Sequence, residues 1–317
     1  MQAMVIDRFG GREAISAREV PDPLVGPDGV LVRLRAAGVN PVDHKLREGA
    51  LAQRIPHFFP VTLGWDGAGT VERVGPAVVD FAPGDDVYGY FRKDFVGEGT
   101  YAELATMRSS ALARRPRSLS FEEAGALPLA GLTALQLLRE GVDLQQGETV
   151  LIHGASGGVG SFAVQIARAW GARVIASSSA ANHDYLRGLG VEELIDYREQ
   201  DFVEVVGDRH PEGIDAVIDL VGGDTQERSA EILQEGRGRL ASVISPPEGE
   251  AFARRRLATR YIFVTPDAQG LRQLADMAVA GALRVHLHEV LSLEEAPRAH
   301  ELLEEGHTRG KVVLRVP

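Results

Sequence analysis

A glycine-rich segment of the chain, GASGGVG at residues 154–160, has the composition of a phosphate-binding loop. It follows the apolar run TVLIH and precedes SFAVQIARAW, in which apolar residues recur at helical spacing. Small residues there let the backbone approach a pyrophosphate closely, and free N–H groups at a helix N-terminus attract its negative charge. A strand before the loop and a helix after it are the context that a dinucleotide-binding fingerprint requires. The sequence therefore predicts cofactor binding by Ala155, Ser156, Gly157, Gly158, Val159 and Gly160.

The end of the next predicted strand bears on which dinucleotide is bound. An enzyme that uses NAD usually carries Asp or Glu about 20 residues after the fingerprint, where it binds a ribose hydroxyl. Residues 176–179 read ASSS instead. A carboxylate would repel the 2′-phosphate of NADP, whereas Ser177 and Ser178 can donate hydrogen bonds to it. We therefore predict NADPH (NADP) as the cofactor, although serines also end strands where no ligand is bound.

Composition and charge exclude several other kinds of chemistry. The chain has no cysteine, which excludes disulfides, cysteine-ligated zinc and a thiol nucleophile. Its net charge of −11 argues against nucleic acid as a partner, because a phosphate backbone requires a basic surface. No apolar run approaches the roughly 20 residues that cross a bilayer, and the N-terminus does not resemble a signal peptide. We expect a cytoplasmic protein with no membrane partner.

The pattern of the chain changes twice, which indicates two domains. Up to about residue 115 it has short β-type runs separated by Gly and Pro, which suits a compact β-barrel or sandwich. From residue 148 strands and helices alternate, which predicts a doubly wound parallel sheet. The last part of the chain returns to mixed elements and ends in the strand KVVLRVP. We predict an α/β protein in which residues 123–264 form a nucleotide-binding domain, inserted into a β-rich domain made of residues 1–122 and 265–317.

Local signals mark the ends of two predicted helices. Ser120 and Glu123 have the spacing of a capping box, and Pro128 predicts a kink or break in the helical stretch that follows. Ser292 and Glu295 repeat the capping-box spacing before a helix that we expect to end at Gly306.

Seven segments spread over nearly the whole chain resemble the medium-chain dehydrogenase/reductase superfamily, and within it the zinc-free quinone oxidoreductase branch. The resemblance implies a Rossmann doubly wound parallel sheet domain inserted into a GroES-like β-rich catalytic domain. It also implies an NADPH-dependent reductase, a small-molecule substrate and a homodimer. The segments that carry it are residues 36–43, 64–69, 81–87, 154–160, 193–198, 219–223 and 309–314.

The chain departs from the zinc-bearing members of that superfamily. Asn40 stands where they have a zinc-ligating cysteine, and Gly64-Trp65-Asp66 stands where they have Gly-His-Glu. A catalytic zinc needs three protein ligands, so we predict no metal site. His286 and His288 could share a strand face, but we interpret them as structural. Without a metal to stabilise an alkoxide, the expected acceptors are quinones or conjugated carbonyl compounds, which delocalise the incoming charge themselves.

The resemblance also implies roles for individual residues. Asn40 and Asp43 match the loop on the nicotinamide side, and Lys45 stands where some relatives carry a tyrosine near the substrate, so these three are the candidate catalytic residues. Lys45 is as readily interpreted as a surface lysine. On the cofactor side, the matching positions are Asn182, Tyr197, Gly310 and Lys311.

Three functions remain open at this point. The first is an NADPH-dependent oxidoreductase that transfers hydride to a quinone without a metal. The second is an NADPH-dependent enone or alkenal reductase, which would use the same residues. The third is a non-enzymatic regulatory protein that binds NADPH. Residues 258–264 supply either an edge strand for the homodimer or an ordinary internal strand.

Overall fold

The computed structural model describes every residue from Met1 to Pro317. The strands are β1 Gln2–Ile6, β2 Ser16–Glu19, β3 Gly29–Val39, β4 Val61–Thr62, β5 Asp66–Val74, β6 Asp86–Tyr90, β7 Leu104–Arg108, β8 Leu112–Arg114, β9 Thr149–His153, β10 Arg173–Ser178, β11 Glu193–Asp196, β12 Ala216–Asp219, β13 Arg239–Ser242, β14 Ala258–Tyr261, β15 Leu287–Ser292 and β16 Lys311–Arg315. The α-helices are α1 Pro41–Arg47, α2 Phe121–Ala126, α3 Pro128–Gln136, α4 Gly158–Ala169, α5 His183–Gly188, α6 Phe202–Arg209, α7 Gly223–Arg228, α8 Glu250–Arg254, α9 Ala268–Val279 and α10 Ala296–Glu304.

The chain divides into two compact units. The first unit comprises Met1–Leu132 and Thr265–Pro317, and the second comprises Thr133–Val264. The predicted boundary at residues 264 and 265 coincides with this division, whereas the predicted boundary at residues 122 and 123 lies ten residues too early. The reason is that α2 belongs to the first unit, where Ala126 packs against Ala36 of β3 and Val313 of β16.

Pro128 separates α2 from α3, as its sequence position predicts. A proline lacks the N–H that would continue the earlier helix, but it fits the first turn of the next one. The capping box of Ser120 and Glu123 opens α2 with both reciprocal hydrogen bonds, at 3.1 Å and 2.8 Å. The second predicted capping box, of Ser292 and Glu295, is also present, but it opens a 3₁₀ turn before α10 rather than α10 itself.

The first unit is built around a seven-stranded sheet. Its order is β15-β16-β3-β5-β6-β8, with β7 also paired to β3, and a separate sheet has the order β2-β1-β4. β16 pairs antiparallel with β3, so that Val312 lies opposite Val39 and the C-terminal tail completes the β-rich unit. On its other side β3 pairs with β5, placing Gly38 opposite Asp66. These two pairings bring the ends of β3, β5 and β16 together.

The second unit is a six-stranded parallel sheet in the order β11-β10-β9-β12-β13-β14. Its core is formed by apolar side chains of adjacent strands, among them Leu151, Ile175, Val217 and Leu240. This is the predicted doubly wound arrangement, in which β9 at the centre leads into the glycine-rich loop and α4. The longest helices have twelve residues, and none in the structure combines the length and apolarity needed to span a bilayer.

Candidate functional site

The glycine-rich loop connects the end of β9 to α4. Gly154 has φ +67°, a left-handed conformation that turns the chain at the strand end. A Cβ atom at Gly160 would lie 2.3 Å from the carbonyl oxygen of Gly154, so only glycine allows this packing of helix on strand. The first N–H group of α4 that finds a helical partner is that of Ser161. The N–H groups of Gly158, Val159 and Gly160 therefore stay free for a phosphate.

Ser177 lies at the end of β10, but its side chain points into the protein. Its Oγ lies 2.9 Å from Nδ1 of His153, and Nε2 of the same ring lies 3.2 Å from Oγ of Ser229. Since the Ser229 hydroxyl donates to Thr225 O at 2.6 Å, it accepts from His153, and Nδ1 accepts the proton of Ser177. Burial lowers the pKa of His153 to about 4, which keeps the ring neutral. The expectation that Ser177 donates to a cofactor phosphate is therefore corrected.

Ser178 is also buried, and its hydroxyl donates to Ser179 O at 3.1 Å. Two other hydroxyls lie at this edge, that of Ser156 within the loop and that of Ser179 directly after β10. Asn182 Nδ2 donates to both, at 3.1 Å and 3.3 Å, so each keeps its own O–H for another acceptor. Sequence reasoning singled out Asn182 and Ser156 but not Ser179, because which serine of a run turns outward depends on where the strand ends.

Tyr197 follows β11, beside the end of β10. Its N–H donates to Ser178 O, at 3.4 Å, and its side chain is 58% exposed. The guanidinium of the next residue, Arg198, lies 5.8 Å from the centre of the Tyr197 ring and forms no ion pair. Arg198 is thus a cation on the cofactor edge of the sheet that sequence reasoning missed. Its position directly after Tyr197 was the available signal.

In the first unit, the ends of β3, β5 and β16 bring Asn40, Asp66 and Lys311 together. Lys311 Nζ donates to Val39 O at 3.0 Å and to Asn40 Oδ1. Asn40 Nδ2 donates to Asp66 Oδ2 at 2.9 Å, and Lys311 Nζ lies 3.9 Å from that same oxygen. All three side chains are buried, and the exposed fraction of Lys311 is 4%. The expectation that Lys311 faces the cofactor is corrected, because its ammonium is enclosed by this cluster.

Asp43 continues the network at the first turn of α1. Its Oδ2 accepts from the backbone N–H of Asn40 at 2.8 Å and from the Tyr101 hydroxyl at 3.0 Å. Burial raises the pKa of Asp43 to about 6, against the lowering effect of these two hydrogen bonds and of the Lys311 charge. Its Oδ1 is buried without a hydrogen-bond partner. Burial also raises the pKa of Asp66 and lowers that of Lys311, while the attraction between their charges opposes both shifts.

A chain of hydrogen bonds links Asp43 to the far end of α1. The Tyr101 oxygen lies 3.3 Å from His300 Nε2, and His300 Nδ1 lies 3.2 Å from Nη1 of Arg47. An arginine can only donate, so Nδ1 accepts, Nε2 donates to Tyr101, and the tyrosine proton points to Asp43. Burial, together with the Arg47 charge, lowers the pKa of His300 to about 3. Because arginine does not release its proton in proteins, the chain fixes directions and does not conduct protons.

Two further predicted residues lie outside this cluster. Lys45 is exposed on α1 and makes none of these contacts. Gly310 has φ +73°, and a Cβ there would lie 2.3 Å from His286 O, so it serves the turn before β16. His286 and His288 lie at the start of β15, and nowhere in the chain do three or more His, Asp or Glu side chains form a group that could hold a metal ion.

Comparison with known proteins identifies the family. Two family models match the chain: "Alcohol dehydrogenase GroES-like domain" over residues 26–117, and "Zinc-binding dehydrogenase" over residues 189–314. The quinone oxidoreductase of Pseudomonas aeruginosa is 34% identical, over 96% of this chain and 97% of that protein. The chain belongs to the quinone oxidoreductase family. This family is a branch of the medium-chain dehydrogenase/reductase superfamily, so the resemblance drawn from the sequence is confirmed.

Solved structures of the quinone oxidoreductase family share the fold. The quinone oxidoreductase from Coxiella burnetii is 34% identical, with a TM-score of 0.89, over 100% of this chain and 99% of that one. The Escherichia coli quinone oxidoreductase complexed with NADPH is 28% identical, with a TM-score of 0.87, over 99% of this chain and 100% of that one. The predicted Rossmann domain within a GroES-like domain is thereby confirmed.

Proposed function

We propose that this protein is an NADPH-dependent oxidoreductase that transfers hydride to a quinone without a metal ion. The observation that carries the proposal is the loop after β9. Its packing at Gly160 leaves three N–H groups of α4 free for a phosphate. Membership of the quinone oxidoreductase family supports the choice of acceptor.

The residues around the loop fit NADPH. The N–H groups at the start of α4 hold the pyrophosphate, because they combine unused donors with the positive end of the helix dipole. The hydroxyls of Ser156 and Ser179, together with the Arg198 guanidinium, bind the 2′-phosphate, and Tyr197 lies against the adenosine ribose. When bound, NADPH supplies the hydride.

The donor set of the first unit supports a reaction without metal. A catalytic zinc requires three protein ligands, yet Asn40 and Asp66 stand without a third, and both are hydrogen bonded within the network. The acceptor must then delocalise the incoming negative charge itself, as a quinone does when its ring becomes aromatic. Of the predicted catalytic residues of this unit, Asn40 is the one with a donor left for the nicotinamide side. Asp43 is fully buried, and its Oδ2 already accepts from the Asn40 N–H and the Tyr101 hydroxyl.

The test is an assay of NADPH oxidation, followed by the loss of nicotinamide absorbance. Benzoquinone, a long-chain enone and a simple aldehyde are offered in turn, each with and without a strong chelator. We expect turnover with benzoquinone, none with the aldehyde, and no effect of the chelator. Inhibition by the chelator would overturn the metal-free part of the proposal. A clear preference for the enone would replace the quinone by a conjugated C=C bond as the acceptor.

We also propose that the protein forms a homodimer through β14. This strand lies at the edge of the parallel sheet, is paired only with β13, and is largely exposed. An unpaired strand edge is a template for pairing with a second chain. Light scattering should give the mass of two chains, and Thr259→Pro, which removes a backbone N–H on the side of β14 that faces away from β13, should give the mass of one. An unchanged mass would place the interface elsewhere.

A further inference from the structure

Lys311 is a buried ammonium without an assigned task in the proposed reaction. A buried charge is costly unless it is paired and hydrogen bonded, so its retention in the first unit requires an explanation. Its partners are the Val39 carbonyl, the Asn40 carboxamide and the Asp66 carboxylate, on β3, the start of α1 and β5. Every element that meets at this corner of the sheet therefore contributes a group to the ammonium or to its neighbours.

The cluster allows only one orientation of the Asn40 carboxamide. Oδ1 faces the Lys311 ammonium, and Nδ2 faces the Asp66 carboxylate at 2.9 Å. Rotating the amide by half a turn would place its N–H₂ against the ammonium and its oxygen against the carboxylate. Both new contacts would be repulsive, because an ammonium only donates and a carboxylate only accepts. Lys311 and Asp66 thus hold the amide from both ends with opposite charges.

The remaining hydrogen-bonding capacity of Asn40 is consequently small and fixed. One Nδ2–H donates to Asp66, and the second has only a long 3.5 Å contact to Gly38 O. Asn40 is 2% exposed, and this second N–H is the one donor of its side chain that is not fully engaged. A residue that points one donor in one direction is suited to position a flat ligand such as a nicotinamide or a quinone.

We propose that Lys311, with Asp66, is a positioning residue that locks the Asn40 carboxamide in the orientation required for hydride transfer. The inference rests on the proposed function, because it assumes that Asn40 faces the reacting groups. The ammonium acts through Asn40 and does not itself touch cofactor or substrate.

The decisive variant is Lys311→Met/Asp66→Asn. Methionine fills the volume of the lysine stem, and the paired asparagine removes the carboxylate that would otherwise be left uncompensated, so the buried cluster stays neutral and packed. The Leu129 N–H, which donates to Asp66 Oδ1 at 2.7 Å, keeps the amide oxygen of residue 66. The N–H₂ of residue 66 then faces Nδ2 of Asn40, so the wild-type orientation of the Asn40 carboxamide is no longer favoured. We expect kcat with benzoquinone to fall at least tenfold, while KM for NADPH changes less than twofold, because the phosphate loop is unaltered.

The matched control is Lys93→Met, the same chemical change at a lysine paired with Glu98. It should keep the kcat of the wild type. A double variant that melts near the wild-type temperature and retains kcat within twofold would overturn the inference. A wild type that turns over neither quinone nor enone would instead count against the proposed function.

The orientation itself can be measured in the wild type, in case the double variant does not fold. The single orientation predicts NOE contacts from the Nδ2 protons of Asn40 to the β protons of Asp66 and none to the ε protons of Lys311. Contacts of equal strength to both residues would show that the amide turns and would overturn the inference.

Discussion

The two candidate regions of this protein are built in opposite ways. The loop after β9 offers backbone N–H groups and depends on the absence of side chains, most strictly at Gly160. The network in the first unit is made of charged and polar side chains that nearly saturate one another, with Asp43 Oδ1 among the few atoms left without a partner. The loop is thus open to a charged ligand, whereas the network is closed and rigid. A dehydrogenase needs both kinds of region, one that binds the phosphates of the cofactor and one that orients the groups between which hydride is transferred.

We expect the largest effect from the variant Gly160→Ala in the loop. The added Cβ would lie 2.3 Å from Gly154 O and 2.6 Å from Ala155 Cα, and neither backbone atom can move without shifting α4. We expect NADPH binding to weaken at least about a thousandfold, since the free N–H groups lose their shared direction. Titration by cofactor fluorescence measures this. Gly207→Ala in α6, where a Cβ meets nothing within 4 Å, is the control and should bind normally; a Gly160→Ala protein with normal affinity would refute the close-packing account.

In the network, the single variant Lys311→Met should lower the free energy of unfolding. Removing one partner of a buried ion pair leaves Asp66 uncompensated, which costs about 3–5 kcal/mol. Without the ammonium the pKa of Asp66 rises further, so the folded state takes up a proton that the unfolded state, with a pKa near 3.8, does not hold. Since the pKa of Asp66 is already about 7 in the wild type, the stability deficit should shrink as the pH falls from alkaline values to 7 and change little below that. Urea unfolding at several pH values measures it, and a deficit independent of pH would contradict this assignment.

The sequence predicted the loop far better than the network. A strand, a run of small residues and an amphipathic helix are adjacent in the chain, and each leaves a local pattern. The network joins residues far apart: 271 positions separate Asn40 from Lys311, and 253 separate Arg47 from His300. Only the pairing of β3 with β5 and β16 brings them together, so no spacing rule could reveal that Lys311 turns inward.

In the second unit too, the sequence could not predict the direction in which a side chain points. The absence of a carboxylate after β10 was readable, but which serine faces outward was not. Ser177 turns inward because His153 on the neighbouring β9 accepts its proton, a contact that requires the parallel register of the two strands. The first domain boundary failed for a related reason. The capping box located the start of α2 correctly, but the packing of α2 on β3 decides to which unit it belongs.

Acid should act on both regions, and within the network its effects oppose one another. His153, with a folded pKa of about 4 against about 6.5 when unfolded, gains a proton on unfolding. Its contribution is complete above pH 6.5 and is lost as the pH falls to 4, by about 3 kcal/mol at 1.36 kcal/mol per pKa unit. His300 acts in the same direction, whereas Asp43, with its pKa raised to about 6, stabilises the fold as the pH falls from 6 towards 3.8. Thermal melts should show a flatter acid slope in His153→Gln than in the wild type; identical slopes would mean that the ring is protonated in the folded protein.

We expect the smallest effect from Arg198→Ala at the edge of the second unit. This variant tests whether the protein prefers NADPH to NADH through that guanidinium. The guanidinium is exposed and free of ion pairs, so its contact with a 2′-phosphate is screened by solvent and contributes about 1 kcal/mol. This corresponds to about a fivefold rise in KM for NADPH. KM for NADH, which lacks the phosphate, should stay the same, and the difference should diminish at high salt. Arg187→Ala, which removes an arginine paired with Asp184 on α5, is the matched control and should alter neither constant. Equal changes for NADPH and NADH would mean that Arg198 acts on the adenosine and not on the phosphate, and the choice of NADPH would then rest on Ser156 and Ser179 alone.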